Sequence, residues 1–261
     1  LEYIIIDGGS TDGTQQIIEK YKDQLAYYLS EPDNGMYDAI NKGFSKATGD
    51  IIAWINADDI YMPWTLHTIN EVFTRFPETK WLGGKYAFLN ENGTLAQIFP
   101  QTSIRSSKDI YNGWCREGVL GPLQQESMFW RKELYAESGG LDTSYRYAGD
   151  FELWMRFAKY ANLTKIDLPL AAFRKRKTSL SKAGKEKYDS EIEKAIINKS
   201  RYPNIFWRLL HRSNIAIQLL RLIRYRKGEI VFYDNRTQEL KKKKGLHRAS
   251  NHNFQSLNLY R

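Results

Sequence analysis

Tyr3-Ile4-Ile5-Ile6-Asp7-Gly8-Gly9-Ser10-Thr11-Asp12-Gly13-Thr14 is an apolar, β-branched run that breaks on two glycines and restarts in polar residues. Such a run reads as a buried strand, Leu1 to Asp7, that gives way to a loop at Gly8-Gly9. A helix follows from Thr14 to Lys22: Ser10, Thr11 and Asp12 mark its start, and Ile17, Ile18 and Tyr21 keep helical spacing. The alternation continues with a strand from Leu25 to Leu29, then a helix from Tyr37 to Ala47 after the Asn34-Gly35 turn. A strand from Ile51 to Ile55 and a helix from Pro63 to Phe76, with proline in its first turn, complete it. Strands alternating with helices predict an α/β domain around a mostly parallel, covered sheet.

Beyond Trp81 the rhythm changes. Trp81 to Leu89 and Thr94 to Phe99 flank an Asn90-Glu91-Asn92-Gly93 turn as a hairpin does, and residues 101–123 read as irregular. Ser127 to Trp130 and Leu170 to Arg174 read as strands, Asp150 to Tyr160 as an amphipathic helix and Lys182 to Lys199 as a charged one. The 261 residues carry a net charge of +9, unevenly distributed, since residues 201–261 hold 14 Lys and Arg against 3 Asp and Glu. Asn204 to Arg226 joins an apolar stripe to arginines, which suits either an anionic membrane surface or a helix packed on the domain with its arginines in water. Cys115, the single cysteine, gives no disulfide, so a reducing, cytoplasmic setting is expected. No run nears the roughly 18 apolar residues that span a bilayer, and the opening Leu1-Glu2-Tyr3 reads as lacking an N-terminal piece. His67, His211, His247 and His252 are too scattered for a zinc site.

In open α/β sheets ligands sit beyond the carboxyl ends of the strands. Two acidic clusters fall there. In Asp7 to Thr14 the glycines admit a ligand close to the backbone and Asp7 can accept hydrogen bonds from a base or ribose, although Ser10 or Asp12 can equally serve only as a helix cap. In Asn56-Ala57-Asp58-Asp59, adjacent carboxylates repel and call for a cation or hydrogen-bond donors. Oxygen-only ligands suit Mn²⁺ or Mg²⁺, with a diphosphate completing the shell; the plainer reading is an exposed polar turn. Asp150 is either the N-cap of its helix or an ionised carboxylate able to take a proton, with Glu152 as the weaker alternative. Gln124, Gln125 and Glu126 can hydrogen-bond an acceptor, but a structural role suits them better.

Six segments in fixed order carry a resemblance. They are Ile6 to Thr14, Glu31-Pro32-Asp33-Asn34-Gly35-Met36-Tyr37-Asp38-Ala39-Ile40-Asn41-Lys42-Gly43, Ala47-Thr48-Gly49-Asp50, Asn56 to Asp59, Gly139-Gly140-Leu141-Asp142, and Gly149-Asp150-Phe151-Glu152-Leu153-Trp154-Met155-Arg156. Over about residues 1–181 this pattern resembles the family 2 glycosyltransferases of GT-A fold. The resemblance implies a Rossmann-like α/β domain over residues 1–200, with a nucleotide-binding part at about 1–90 and an acceptor part at about 91–200. Residues 201–261 are then a basic helical extension. It implies an inverting enzyme that moves a sugar from a nucleoside-diphosphate sugar to a hydroxyl of a saccharide or lipid-linked saccharide, in polysaccharide or glycolipid synthesis, with no nucleic acid as partner. Asp7, Gly8, Ser10, Asp38, Asp58 and Arg176 would then hold the nucleotide, Asp58 and Asp59 would serve ribose and metal between them, and Asp150 would be the base.

Three departures from the family pattern stand out. Its first strand is missing, its Asp-x-Asp appears as Asn56-Ala57-Asp58, and Arg176 stands where many relatives carry histidine. Arg176 either neutralises diphosphate or belongs to a solvated Lys/Arg run. A non-catalytic sugar-nucleotide-binding module is the alternative function, and nucleotidyl transfer ranks below it because Lys20 is the only base in residues 1–20. The membrane surface, at the inner face, would be met through residues 204–227.

Overall fold

The computed structural model describes residues 1–99, 105–117, 119–176, 184–197 and 226–247. The first part follows the expected order: β1 (Ile4–Asp7), α1 (Thr14–Glu19), β2 (Tyr27–Ser30), α2 (Met36–Lys46), β3 (Ile51–Ile52), a short β4 (Ile60–Tyr61) and α3 (Thr65–Arg75). Next come β5 (Trp81–Lys85), β6 (Ala87–Leu89), β7 (Leu95–Ile98), α4 (Ser107–Tyr111), β8 (Met128–Arg131), α5 (Lys132–Glu137) and α6 (Gly149–Tyr160). The remainder is β9 (Leu163–Pro169), β10 (Ala171–Arg174), α7 (Lys185–Ile197), β11 (Arg226–Asp234) and β12 (Glu239–His247).

The strands form a parallel pair β1-β2, a sheet ordered β4-β10-β6-β7 and a six-stranded sheet ordered β12-β11-β9-β5-β8-β3. The α/β expectation holds, but the sheets are mixed rather than mostly parallel. Pairs β5-β9, β9-β11 and β6-β10 run parallel, whereas β8 lies antiparallel to both β5 and β3, and β6-β7 is the expected hairpin. The main sheet is mixed because β8 is inserted between β5 and β3 with its chain direction opposed to both.

Aromatic packing orients the helix that matters most for the site. Trp81 faces Trp130 across the β5-β8 pair, and the Trp154 ring of α6 stacks on Trp54 at 6.0 Å and on Trp81 at 5.7 Å. Leu153, Trp154 and Phe157 are buried, so α6 presses one face onto the sheet.

The C-terminal part corrects one expectation. Residues 201–225, most of the basic helix expected from Asn204 to Arg226, lie outside the described residues. Residues 226–247 are strands rather than helix: β11 joins the main sheet beside β9, pairing Glu229 with Thr164 and Val231 with Ile166, and β12 folds back on it. Glu229-Ile230-Val231-Phe232-Tyr233 is rich in β-branched and aromatic residues, which favours a strand. Its acids also meet the lysines. Lys242 lies 2.9 Å from both Glu78 and Glu229, Lys244 lies 3.1 Å from Glu229, and Lys241 lies 2.6 Å from Asp234. Among the described residues no helix is long and apolar enough to cross a membrane.

Candidate functional site

β1 carries Asp7 to its C-terminal end, where register sets Ser30 of β2 beside it. The buried carboxylate accepts the Ser10 amide at 3.0 Å, the Ser10 hydroxyl at 2.5 Å and the Ser30 hydroxyl at 2.6 Å. Burial disfavours its charge, but these donors outweigh that cost and hold the carboxyl below its usual range. Gly8 is fixed by crowding, because a Cβ there would lie 2.6 Å from the Asp33 Oδ2. Asp38 sits in the first turn of α2, accepts the Asn34 amide at 3.1 Å and pairs with Lys42 at 3.4 Å. Those contacts are the ordinary work of a helix start.

The turn after β3 gives its two acids different surroundings. Asp59 is 8% exposed and accepts the Arg174 amide at 2.8 Å and the Asn56 side-chain amide at 3.2 Å. Burial, helped by the Asp58 charge, pushes its carboxyl up to about 6 despite those bonds. Asn56 thus has a physical reason to be an amide: it donates to Asp59 where a carboxylate would repel it. The Asp58 carboxylate is more open, and the Arg176 Nε lies 3.5 Å from it, while Arg174 donates to the Asp58 carbonyl at 2.7 Å. Among the described residues no group of three or more His, Cys, Asp or Glu side chains is arranged to hold a metal ion. The open Asp58 carboxylate suits a cation that brings further oxygens with it, and such a cation would compete with Arg176 for that carboxylate.

Asp150 does not cap its helix. The N-cap of α6 is Ala148, which has no capping side chain, and Asp150 lies inside the first turn. Distant residues satisfy the free amides instead. Glu191 of α7 accepts the amides of Arg146 at 2.9 Å and of Tyr147 and Ala148 at 2.8 Å, while the Tyr37 hydroxyl of α2 accepts those of Gly149 at 2.9 Å and Asp150 at 3.3 Å. A Cβ at Gly149 would lie 2.6 Å from the Tyr37 ring, so the close approach requires glycine. The Asp150 carboxyl keeps one long contact, 3.4 Å from the Tyr37 hydroxyl. Burial pushes it up to about 6, against the Phe151 backbone and Tyr37, which favour the charged form. A carboxyl titrating there remains largely ionised at neutral pH and is a stronger base than an exposed aspartate.

Glu152, the alternative base, is bound to Arg156 by contacts of 2.6 to 2.9 Å. Gln124 holds the Ala87 backbone at 2.9 and 3.2 Å, and Gln125 donates to the Trp54 carbonyl at 2.7 Å, both structural roles. Tyr37 and Glu191 were not singled out from the sequence. Tyr37 lies inside one of the six segments, whereas nothing local marks Glu191 as a cap.

Residues 1–106 match the family model described as Glycosyl transferase family 2. An uncharacterized glycosyltransferase of Mycobacterium tuberculosis is 27% identical over 180 residues, 66% of this chain and 63% of its own length. A PGL/p-HBAD biosynthesis glycosyltransferase of Mycobacterium bovis is 26% identical over 172 residues, 63% of this chain and 61% of its own length. The chain thus spans less than two thirds of the length of these relatives. Among solved structures, S. aureus TarS 1-349 in complex with UDP-GlcNAc matches with a TM-score of 0.52 and 20% identity, over 68% of this chain and 50% of that one. The family match bears out the resemblance to family 2 glycosyltransferases, and the likeness to TarS bears out the GT-A fold.

Proposed function

Taking this chain as a family 2 glycosyltransferase of GT-A fold, we propose that it moves a sugar from a nucleoside-diphosphate sugar to an acceptor hydroxyl with inversion. The observation that carries this reading is the Asp150 carboxyl, whose helix is capped by other residues and whose affinity for a proton is raised by burial. Asp150 takes the proton of the acceptor hydroxyl as that oxygen attacks the anomeric carbon from the face opposite the diphosphate. The carbon–diphosphate bond breaks through an oxocarbenium-like transition state.

Asp7, with Gly8 and Ser10, binds the base or ribose at the end of β1, and Asp38 sustains the adjoining helix start. Asp58 is the carboxylate that would hold Mn²⁺ or Mg²⁺, since Asp59 is committed to the Arg174 amide and Asn56. A cation there would neutralise charge on the departing diphosphate. Arg176, 3.5 Å from Asp58, adds a second positive charge for the same purpose. The solved fold neighbour was captured with UDP-GlcNAc, which supports a nucleotide-sugar donor. The acceptor is a saccharide or lipid-linked saccharide in polysaccharide or glycolipid synthesis, met at the cytoplasmic face of a membrane through the basic residues 204–227.

Thermal shifts with UDP, GDP, dTDP and CMP sugars, with and without Mn²⁺, test the donor site. One donor should raise the melting temperature in a Mn²⁺-dependent way. Asp58→Ala should abolish the Mn²⁺ dependence. An undiminished shift in that variant would remove Asp58 from the metal site.

A further inference from the structure

Residues 124–127 are tied to β6, to β10 and to the chain just before the Asn56–Asp59 turn. Gln124 fastens to Ala87, Gln125 to the Trp54 carbonyl at 2.7 Å, and Ser127 reaches the Ala171 carbonyl at 3.5 Å. These contacts fix the backbone on both sides of Glu126. Its own carboxyl is treated differently: it is 2% exposed, and its Oε1 has no hydrogen-bond partner among the described residues. The groups that act on it come from four elements: Asp59 after β3, Asp150 on α6, Lys165 on β9 and Tyr61 on β4. Lys165 spends its ammonium on the Gly84 carbonyl at 2.5 Å. Burial, reinforced by the charges of Asp59 and Asp150, pushes the Glu126 carboxyl well above its usual range and so favours its protonated form.

A protonated carboxyl both donates and accepts a hydrogen bond, and buried polar atoms are rarely left without a partner. Glu126 lies within electrostatic reach of both Asp59, in the acidic turn, and Asp150. In the proposed transfer the sugar leaves a diphosphate held at the acidic turn and joins a hydroxyl deprotonated by Asp150.

We propose that Glu126 binds a hydroxyl of the transferred sugar and thereby selects which donor sugar is accepted. The assignment rests on the glycosyltransferase reading above. It separates recognition of the sugar from recognition of the nucleotide, because Asp7 and Asp58 serve the latter.

Calorimetric titration tests this with UDP and UDP-GlcNAc, GDP and GDP-mannose, and dTDP and dTDP-glucose, taking whichever pair binds the wild-type protein. Glu126→Ala should weaken the sugar nucleotide by about tenfold or more, the loss of a hydrogen bond to a buried partner, and leave the bare nucleoside diphosphate within about twofold. Glu126→Gln keeps a neutral donor and acceptor of similar shape and should retain most of the affinity. Should the alanine variant not fold, Glu126→Asp, shorter by one methylene, should show the same selective loss. Equal losses for both ligands, or no loss, would overturn the proposal and leave Glu126 a structural residue. If neither member of any pair bound the wild-type protein, the transferase reading would fall, and this assignment with it.

Discussion

Burial pushes the Asp150 carboxyl up to about 6, and that has two consequences with opposite signs. As the proposed base Asp150 must be ionised, so the rate should fall as pH drops through about 6. For stability the folded state holds the proton more tightly than the unfolded chain. The stabilisation from protonated Asp150 is therefore complete below the ordinary value of 3.8 and is lost as pH rises through about 6. Asp150→Asn does not titrate and escapes that loss. Its melting temperature should exceed that of the wild type by a few degrees at pH 8, and the gap should close towards pH 4; a gap constant with pH would contradict the assigned environment. Residue types at element ends were legible in sequence, which is why Asp7, Asp58, Asp59 and Asp150 were singled out as candidates. Their division of labour was not. Asp59 is turned inward by an amide 115 residues away, and no local pattern reports a contact at that separation.

At the scale of elements, the first turn of α6 is held from outside by two others, α2 through Tyr37 and α7 through Glu191. Removing the Glu191 carboxylate leaves the amides of residues 146–148 without their acceptor, so Glu191→Ala should cost about 2–3 kcal/mol. Transfer should drop further than donor binding, because the change loosens the proposed base on α6 and leaves the proposed nucleotide site at β1 in place. Denaturant melts and donor titration on the same variant check both parts; an unchanged melt would show that the cap carries little energy. Helices α2, α3 and α6 were readable because their apolar residues recur at helical spacing. Strand β9 was missed for a physical reason: it is buried on both faces, shows no alternation in burial, and carries Lys165 within it.

Across the whole molecule, β11 and β12 turn part of a basic tail into the border of the main sheet. Val231 and Leu240 are buried there, and β11 covers an edge of β9 that would otherwise be open to pairing. Charge counting saw 14 basic residues against 3 acidic ones in residues 201–261. It could not see that Glu229 and Asp234 would meet Lys242, Lys244 and Lys241, because strand register decides those pairs. The α/β class and GT-A resemblance, by contrast, rested on the order of segments along the chain and survived the mixed sheet. The central claim is that this fold brings a nucleotide-sugar site and a buried base together for glycosyl transfer. Its most direct test is nucleoside diphosphate release in the presence of acceptor, measured with donor binding for wild type and Asp150→Asn. The account predicts release slowed by roughly a hundredfold or more with donor affinity nearly unchanged; equal release rates in the two proteins would contradict it.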